Sequence, residues 1–357
     1  MENMFKRTLL GASIALISSS AIAAGDAYQV GINSDFNVDV YGVAAISAFY
    51  QEDGNTYDWE NESRIGFRAS KAMTDNIEGF MQIESGYVGD EGKNGALGVR
   101  DTFLGLRGDW GSVRFGRMLT PMYEIIDWPY SNPGLGRVFD WGGDVKYNRD
   151  RHGNTMRYDS AQLGNFSFSV ATGVGDTSVK DNYWYGASAH LKVAEVLTLH
   201  AGLESENNRE LTAAKAATFE VIDAAGTVKE TAAVAGENAD TFGYIVGFEA
   251  SLPAGFGLAG AYKAGESDVI GGVKSEQASY SVIAQYWNGP MGIKVGYAAN
   301  LDSKKAGVKQ DDADSVVSGQ LMYLINGFVP YVRIGQHDAY NSDDKSYFAR
   351  VGLEYGF

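Results

Sequence analysis

Hydrophobic and polar residues alternate along most of this chain with a period of two. The final eleven residues, YFARVGLEYGF, show the pattern clearly. Their apolar or aromatic positions are Tyr347, Ala349, Val351, Leu353, Tyr355 and Phe357, and the intervening ones are mostly small or charged. Successive side chains of a β-strand point to opposite faces, so the segment has one apolar face and one wet face. The pattern predicts a β-strand that separates water from an apolar medium.

Segments of about ten residues with this alternation recur through the chain, which is the length that a tilted strand needs to cross a bilayer. We count sixteen, and they begin near Val38, Ser63, Glu78, Leu97, Val113, Asn154, Phe166, Tyr185, Leu197, Gly243, Gly257, Ser279, Met291, Ser315, Phe328 and Tyr347. An even number of strands places both chain termini on the side of the short turns. Sixteen strands also leave a water-filled lumen, whereas eight would be filled by their own side chains.

The connections between these segments alternate in length. Tight, turn-like connections are GDWGS at Gly108, VAEV at Val193, LPAGFG at Leu252, NGP at Asn288 and NGF at Asn326. Longer, mostly acidic ones are QEDGNTYDWENE, GDEGKNG, the stretch 204–240 and DSKKAGVKQDDAD. The sequence therefore predicts an all-β fold, a 16-stranded antiparallel transmembrane β-barrel with short periplasmic turns and long extracellular loops. The alternative is a soluble multi-sheet β protein, but β-sandwiches show less regular loop asymmetry.

Composition and charge narrow the functional classes. The chain has 45 Gly, 12% aromatic residues and no Cys, which excludes disulfides and thiolate metal sites. Its formal net charge of -16 argues against a nucleic-acid partner. No later window holds the roughly 18 uninterrupted apolar residues of a transmembrane helix. An exported membrane barrel remains compatible with all of these features.

The N-terminus has the pattern of a secretory signal peptide. Lys6 and Arg7 precede an apolar run over residues 8–17, and Ala21 and Ala23 give the small-residue cleavage pattern. We predict cleavage after Ala23, with Ala24 as the alternative. Residues 1–23 would be removed, which takes the net charge to -17, and 24–357 would form a single barrel domain.

Several strings resemble the trimeric general porins of Gram-negative outer membranes, over nearly the whole mature chain. These strings are VDVYG at 38–42, SRIGFRASKAMTDNIEGFMQIESGY at 63–87, VRDTFLGLRGDWGSVRFGR at 99–117, NTMRYDS at 154–160 and the terminal Phe357. The resemblance implies an outer-membrane, multi-pass barrel that assembles as a homotrimer. It also implies delivery to the barrel-assembly machinery through Phe357. The small outward residues Gly42, Ala44 and Ala48 permit close approach of subunits.

In that family the third loop, after the fifth strand, folds into the barrel. The corresponding segment here, about 118–153, is rich in apolar residues, including Ile125, Ile126, Trp128, Tyr130, Phe139 and Trp141. A loop packed against the inner wall needs such residues, and we expect them to be packed there. The alternative is a loop that covers a subunit contact.

The functional site of such a channel is a constriction with opposed charges. Strand parity and the resemblance assign its basic side to Arg64, Arg100, Arg117 and Arg149, with Arg151 as the alternative to Arg149. Its acidic side is assigned to Glu124, Asp127, Asp140 and Asp144. FDWGGD, residues 139–144, resembles the family's loop tip and makes Asp140 the key acidic residue. Arg68 and Arg157 are expected in the lumen, and Arg114 at the rim or a subunit contact.

One departure from the family bears on selectivity. A lumenal lysine common in the family's first strand is replaced by Val43. With the negative net charge, this loss favours a weak preference for cations. The sequence therefore predicts a general diffusion porin for passive transport of ions and small hydrophilic solutes.

An exported barrel could have three other functions. An enzyme is disfavoured, since His152, His190, His200 and His337 are scattered without a G-x-S-x-G or H-E-x-x-H motif. A sugar-specific channel would show a file of lumenal aromatics, and Tyr41, Phe49, Tyr331 and Phe348 form no obvious file. An adhesin or receptor acting through the extracellular loops is compatible with a pore and remains the alternative.

We predict no cofactor and no protein-bound metal. The acidic loops are interpreted as a solvated face. The alternative is that EDGNTYDWENE and DDADS recruit divalent cations that bridge lipopolysaccharide phosphates, because oxygen-rich loops suit calcium or magnesium.

Overall fold

The computed structural model describes residues 37–52, 56–87, 96–131, 133–213, 215, 218–221, 228–231, 235–340, 342 and 345–357. The predicted signal peptide, the GDEGKNG loop and parts of the other long loops lie outside the described residues. Among the residues that the structure describes, no helix has the length and apolar character needed to cross a membrane.

Sixteen antiparallel strands form the wall of a closed barrel, as the sequence predicts, and only these strands are numbered. The first eight are β1 Asn37–Gln51, β2 Arg64–Thr74, β3 Ile77–Ser85, β4 Leu97–Gly108, β5 Gly111–Leu119, β6 Arg151–Ser160, β7 Phe166–Val174 and β8 Tyr183–Ala194. The remainder are β9 Leu197–Thr212, β10 Glu237–Ser251, β11 Phe256–Val269, β12 Lys274–Asn288, β13 Met291–Asn300, β14 Asp314–Tyr323, β15 Phe328–Asp338 and β16 Ser346–Gly356. Each strand pairs with its neighbours in the chain.

The barrel closes between β16 and β1. Their register runs from Val43 opposite Gly356 to Gln51 opposite Phe348. Beyond it, Gly42 N donates to Phe357 O at 3.0 Å, and Phe357 N donates to Gly42 O at 3.1 Å. On its other side, β1 pairs with β2 and with the short strand Tyr57–Asn61. Closure leaves no unpaired strand edge in the hydrocarbon, where each such group would cost several kcal/mol.

The two faces of the wall differ as the alternation predicts. Val351, Leu353 and Phe357 on β16 and its end are exposed on the outside of the barrel, and Val351 is 59% exposed. Their neighbours Arg350 and Glu354 point to the lumen side. The apolar outer face of the isolated chain is therefore the surface that meets lipid.

Short turns and long loops lie where the sequence predicts them. Turns at residues 109–110, 195–196, 252–255, 289–290 and 324–327 join consecutive strands at one end. At the opposite end, a loop hairpin pairs Thr218–Val221 with Val228–Thr231, and another pairs Lys304–Lys305 with Val308–Lys309.

The connection between β5 and β6 folds into the barrel, which confirms the predicted inward third loop. It begins with α1, Pro121–Asp127, whose N-cap Thr120 accepts a hydrogen bond from Tyr123 N. Its apolar side chains pack against inward positions of β10 to β14. This cluster contains Met122, Ile125, Ile126, Tyr130, Leu135, Val138, Phe139, Val145 and Tyr147 from the loop, with Ile245, Ala259, Ala261, Ile283, Ala298 and Val316 from the wall.

The two tryptophans of the loop differ in their packing. Trp141 was expected to pack against the wall, but its side chain is 67% exposed. Trp128 is half-buried, with the Lys294 ammonium 4.7 Å from its ring centroid. The expectation for Trp141 was wrong: Phe139 occupies the buried position in this part of the loop, and Trp141 does not pack against the wall.

Candidate pore constriction

Hydrogen bonds from the wall hold the backbone of the internal loop. Ser281 Oγ on β12 donates to Tyr130 O at 2.7 Å, and Ser318 Oγ on β14 donates to Pro133 O. Val145 N donates to Gln277 Oε1 at 3.3 Å. The loop is thus fixed along one side of the lumen, and the opposite side is left for passage.

Glycines on the wall make room for the loop's rings. An added Cβ on Gly243 or Gly265 would come within 2.5 Å of Tyr147 ring atoms, and one on Gly247 within 2.4 Å of the Tyr130 hydroxyl. These positions lie on β10 and β11 at points where the loop backbone crosses them. The local Gly content of these strands therefore sets how far the loop recedes from the lumen.

Glu84 on β3 lies between two arginines of the adjacent strands, Arg64 on β2 and Arg100 on β4. Its Oε1 is 2.5 Å from Arg100 Nε and 3.8 Å from Arg64 Nε. Its Oε2 accepts a hydrogen bond from Tyr41 OH at 2.8 Å. Glu84 is only 6% exposed, so it is a fixed part of the wall. The basic wall therefore carries its own negative charge.

A second carboxylate on the wall compensates another arginine. Arg151, at the start of β6, places Nε 2.7 Å from Asp101 Oδ1 on β4 and NH1 3.3 Å from Asp150 Oδ2. Of the two alternatives after the loop, Arg151 is the one that joins Arg64 and Arg100 on the basic wall.

Asp127 is the loop carboxylate that faces this wall. Enclosure within the barrel raises the pKa of Asp127, whereas the positive charges of Arg151, Arg100 and Arg64 act to lower it. Its side chain is exposed at the end of α1. The structure thus brings three predicted residues together across the lumen, Arg64, Arg100 and Asp127.

Glu124 is part of an ion-pair network that ties α1 to the wall. Arg157 NH2 on β6 lies 2.6 Å from Glu124 Oε2 and 2.7 Å from Asp159 Oδ1. Arg114 on β5 shares Asp159 at 2.7 Å. Because Arg157 is only 2% exposed, its ion pairs with Glu124 and Asp159 hold the loop against the wall and contribute little to the pore lining.

Arg114 therefore faces the lumen, and the prediction that it lies at the rim or a subunit contact was wrong. Phe115, beside it, is exposed on the outer face, which turns Arg114 inwards. Arg117 follows the other parity. Arg117 pairs with Thr102, which lies on the same outer face of β4 as the exposed Leu104. Its Nε donates to Val99 O at 2.7 Å. The structure does not bring Arg117 to the constriction.

Arg149 anchors the C-terminal end of the loop. Its backbone N donates to Glu204 Oε1 at 2.8 Å, and its Nε lies 2.8 Å from Glu206 Oε2. Both glutamates are on β9 and are buried. Asn182 Nδ2 also donates to Glu206 Oε1 at 3.1 Å. Arg149 is thus paired on the wall away from Asp127.

The two remaining acidic candidates lie apart from Asp127's lumenal face. Asp140 accepts a hydrogen bond from the Tyr123 side chain, and its Oδ1 is buried without a partner. Burial, with Asp127 nearby, raises the pKa of Asp140 to about 6 despite the Tyr123 hydrogen bond. Asp144 lies nearer the extracellular end, where Tyr340 OH donates to Oδ2 at 3.4 Å. Asp140 is turned into the loop rather than towards the arginines.

Sequence reasoning missed Glu84 and Asp101. Glu84 has the same parity as Gln82, and Gln82 Oε1 accepts from Arg68 Nε at 2.9 Å in the lumen. That parity was the available signal. What the sequence did not give is the strand register, which puts Glu84 opposite Gly66 and so beside Arg64.

A closed sixteen-stranded barrel with a loop folded into its lumen and opposed charges across it defines an outer-membrane diffusion channel. A family described as Gram-negative porin matches residues 11–355, and the chain belongs to that family. A curated relative, "Chitoporin" of Vibrio furnissii, is 51% identical over 376 aligned residues, and the alignment covers the full length of both proteins. The protein is therefore an outer-membrane protein of a Gram-negative bacterium.

Solved structures give the same fold at low sequence identity. The anion-selective porin from Comamonas acidovorans is 15% identical in sequence and has a TM-score of 0.70, over 90% of this chain and 100% of that one. OmpT of Vibrio cholerae, in a structure described as a trimer form, has 17% identity and a TM-score of 0.65 over 90% and 100%. These likenesses concern the fold alone.

Proposed function

We propose that this porin passes ions and small hydrophilic solutes by passive diffusion, with a weak preference for cations. The observation that carries the proposal is the pairing of the basic wall with its own carboxylates. Glu84 offsets Arg100 and Arg64, and Asp101 offsets Arg151. Arg64, Arg100 and Arg151 are thus offset by Glu84, Asp101 and Asp150 on their own wall and by Asp127 on the loop, and the net charge of -16 favours cations further.

The interaction energies of these charges are large enough to favour one sign of ion but too small to close the pore. Two unit charges about 10 Å apart interact by roughly 0.4 kcal/mol in water and ~1.7 kcal/mol at an effective dielectric constant of 20. The fold does not decide the sign of selectivity, because an anion-selective porin shares it. The decision rests on the lumenal charges.

The test is a planar-bilayer recording of the mature protein under a KCl gradient. We expect open channels with a reversal potential of cation-selective sign, and a weaker preference in Asp127→Asn. Asp75→Asn, the same substitution at an exposed residue of the β2–β3 turn, is the control. Anion selectivity of the unaltered protein would contradict the proposed sign. A folded, heat-modifiable barrel that stays silent would instead favour a receptor or adhesin role of the long loops.

A second candidate is passage of chito-oligosaccharides, which the likeness to a chitoporin favours. Trp141 supports it, because an indole that is 67% exposed on the internal loop offers a face on which a sugar ring can stack. The sugar's amide and hydroxyl groups would meet the polar side chains of the lumen.

This candidate is tested by blockage of the ion current. Chitohexaose should interrupt the current at lower concentration than a maltohexaose control of equal length. Trp141→Ala should shorten the blocking events, and Trp141→Phe, which keeps an aromatic face, should restore part of their duration. Equal blockage by both sugars would remove the sugar preference and leave general diffusion.

We also propose a homotrimer, supported by the family and by the trimer form of the OmpT structure. Ala44 and Ala48 present small side chains outwards on β1, whereas Gly42 is covered by the Phe357 ring. Ala44→Trp should therefore lower the fraction of trimer in mass measurements of detergent-solubilised protein. We further propose delivery to the assembly machinery through Phe357 and divalent cations bound between the loops and lipopolysaccharide.

A further inference from the structure

Two histidines form a close pair on the lumen side of the wall. His190 on β8 and His200 on β9 are register partners near the short β8–β9 turn. Their Nδ1 atoms are 2.7 Å apart, and the ring centroids are 5.0 Å apart with the planes at 74°. The function proposed above does not use this pair.

The hydrogen bond between the rings fixes their protonation. One Nδ1 donates and the other accepts, so the accepting imidazole is neutral. His200 Nε2 has no hydrogen-bond partner, and the nearest carboxylate oxygen, Glu249 Oε2 on β10, is 4.0 Å away. The pair thus offers nitrogen lone pairs at one point, with a carboxylate behind one ring.

We propose that His190 and His200 bind a divalent transition-metal ion, such as zinc, nickel or copper, through their two Nδ1 atoms. Imidazole suits these metals, whereas carboxylate and carbonyl oxygens suit magnesium and calcium. Water would complete the coordination. Within the described part of the chain, no group of three or more His, Cys, Asp or Glu residues is placed to hold a metal, so the protein supplies two ligands here.

The geometry requires only a small adjustment. Tetrahedral zinc with Zn–N bonds of about 2.0–2.1 Å separates its nitrogens by about 3.3 Å. The rings must therefore open by roughly half an ångström, which side-chain rotation provides. The donating ring moves its proton from Nδ1 to Nε2, so no proton is released. With both Nδ1 atoms on the metal, His200 carries its proton on Nε2, which points towards Glu249 Oε2 at 4.0 Å; a small movement of the ring would form the usual carboxylate–histidine–metal arrangement.

The surroundings allow a charged ion at this point. His200 is partly exposed to the lumen, at 12% of its side chain, and the Tyr130 ring of the loop is 6.1 Å from it. The charges of Glu124 and Arg157 both act on His190, and their effects oppose one another. Because both ligands are neutral, a bound ion adds two positive charges to the lumen.

The other two histidines provide the contrast. His152 is buried against the Trp184 ring, with centroids 4.1 Å apart. His337 Nε2 lies 3.6 Å from Asp314 Oδ2 on β14 and has no histidine partner. His337→Asn therefore removes one lumenal-wall imidazole without touching the pair, which makes it the matched control.

Zinc binding to the refolded mature protein tests the proposal directly. Protein treated with EDTA is titrated with ZnCl2 by calorimetry in detergent, with excess Mg²⁺ present to occupy oxygen-only sites. We expect one saturable zinc ion per chain, with affinity at least tenfold lower in His190→Asn and in His200→Asn and unchanged in His337→Asn. Absence of saturable binding, or equal binding in all variants, would overturn it.

A second measurement uses the channel. Zinc added from the periplasmic-turn side should shift the reversal potential under a KCl gradient towards anions, and EDTA should reverse the shift. His190→Asn should abolish the response. A zinc response that survives this substitution would overturn the assignment to the pair. The calorimetric result does not need an open pore, so failure of the channel proposal is distinguishable from failure of the metal site.

Discussion

Replacing Glu84 with glutamine removes one negative charge from the middle of the basic wall with little change in side-chain shape. The amide keeps an acceptor for Tyr41 OH, whose bond to Glu84 is 2.8 Å. Arg100 and Arg64, at 2.5 and 3.8 Å, lose the charge that offsets them. We expect the lumen to become more favourable to anions.

The size of the shift follows from Coulomb's law. A charge about 10 Å from the ion path changes the energy of a monovalent cation by roughly 0.4 kcal/mol in water and of an anion by the same amount with opposite sign. The difference of about 0.8 kcal/mol corresponds to about a fourfold change in the cation-to-anion permeability ratio. A lower effective dielectric constant would make the change larger.

The assay is the reversal potential of single channels under a KCl gradient, after heat-modifiable migration has shown that each variant is folded. Glu78→Gln is the control, since Glu78 is on the same strand and pairs with Arg107 at 2.7 Å, where both side chains are more exposed. Its effect should be smaller because water screens it. An unchanged reversal potential in folded Glu84→Gln, or a shift towards cations, would refute the electrostatic account of the wall.

Four further outcomes are expected. Asp140, with a pKa of about 6, should gain its proton as the pH falls from 7.5 to 5, so cation preference should fall by up to about twofold. Because this pKa is raised in the folded state, protonated Asp140 contributes stability that is lost as the pH rises through about 6. Channel recordings and unfolding curves of Asp140→Asn should lack both pH dependences. Tyr130→Ala should release the loop at a cost of about 3–5 kcal/mol of packing, detected as proteolysis within the loop, while Tyr130→Phe should not, because the hydroxyl has no partner. Gly42→Val would place Cβ 2.5 Å from the Phe357 ring, and the yield of heat-modifiable barrel should fall if that contact closes the wall.

The strand pattern was predictable because it is local. Every second side chain of a strand lies on one face, so Val351, Leu353 and Phe357 could be assigned to the lipid side from their spacing alone. The same reasoning applied to β5 would have corrected Arg114, because the apolar Phe115 beside it has to face outwards. That error came from giving family likeness at Arg117 more weight than the parity of the apolar residues.

The constriction depended on contacts between residues far apart in the chain. Register between strands places Glu84 beside Arg64 and Arg100, and a shift of one residue would have turned it to the lipid. The path of the internal loop decides that Asp127 faces the arginines while Asp140 turns back to Tyr123. The sequence by itself determined the barrel, the position of the inward loop and the lumenal face of Arg64. Only the tertiary structure decided which charges meet, because ion pairing depends on separations of a few ångströms that alternation along one strand does not specify.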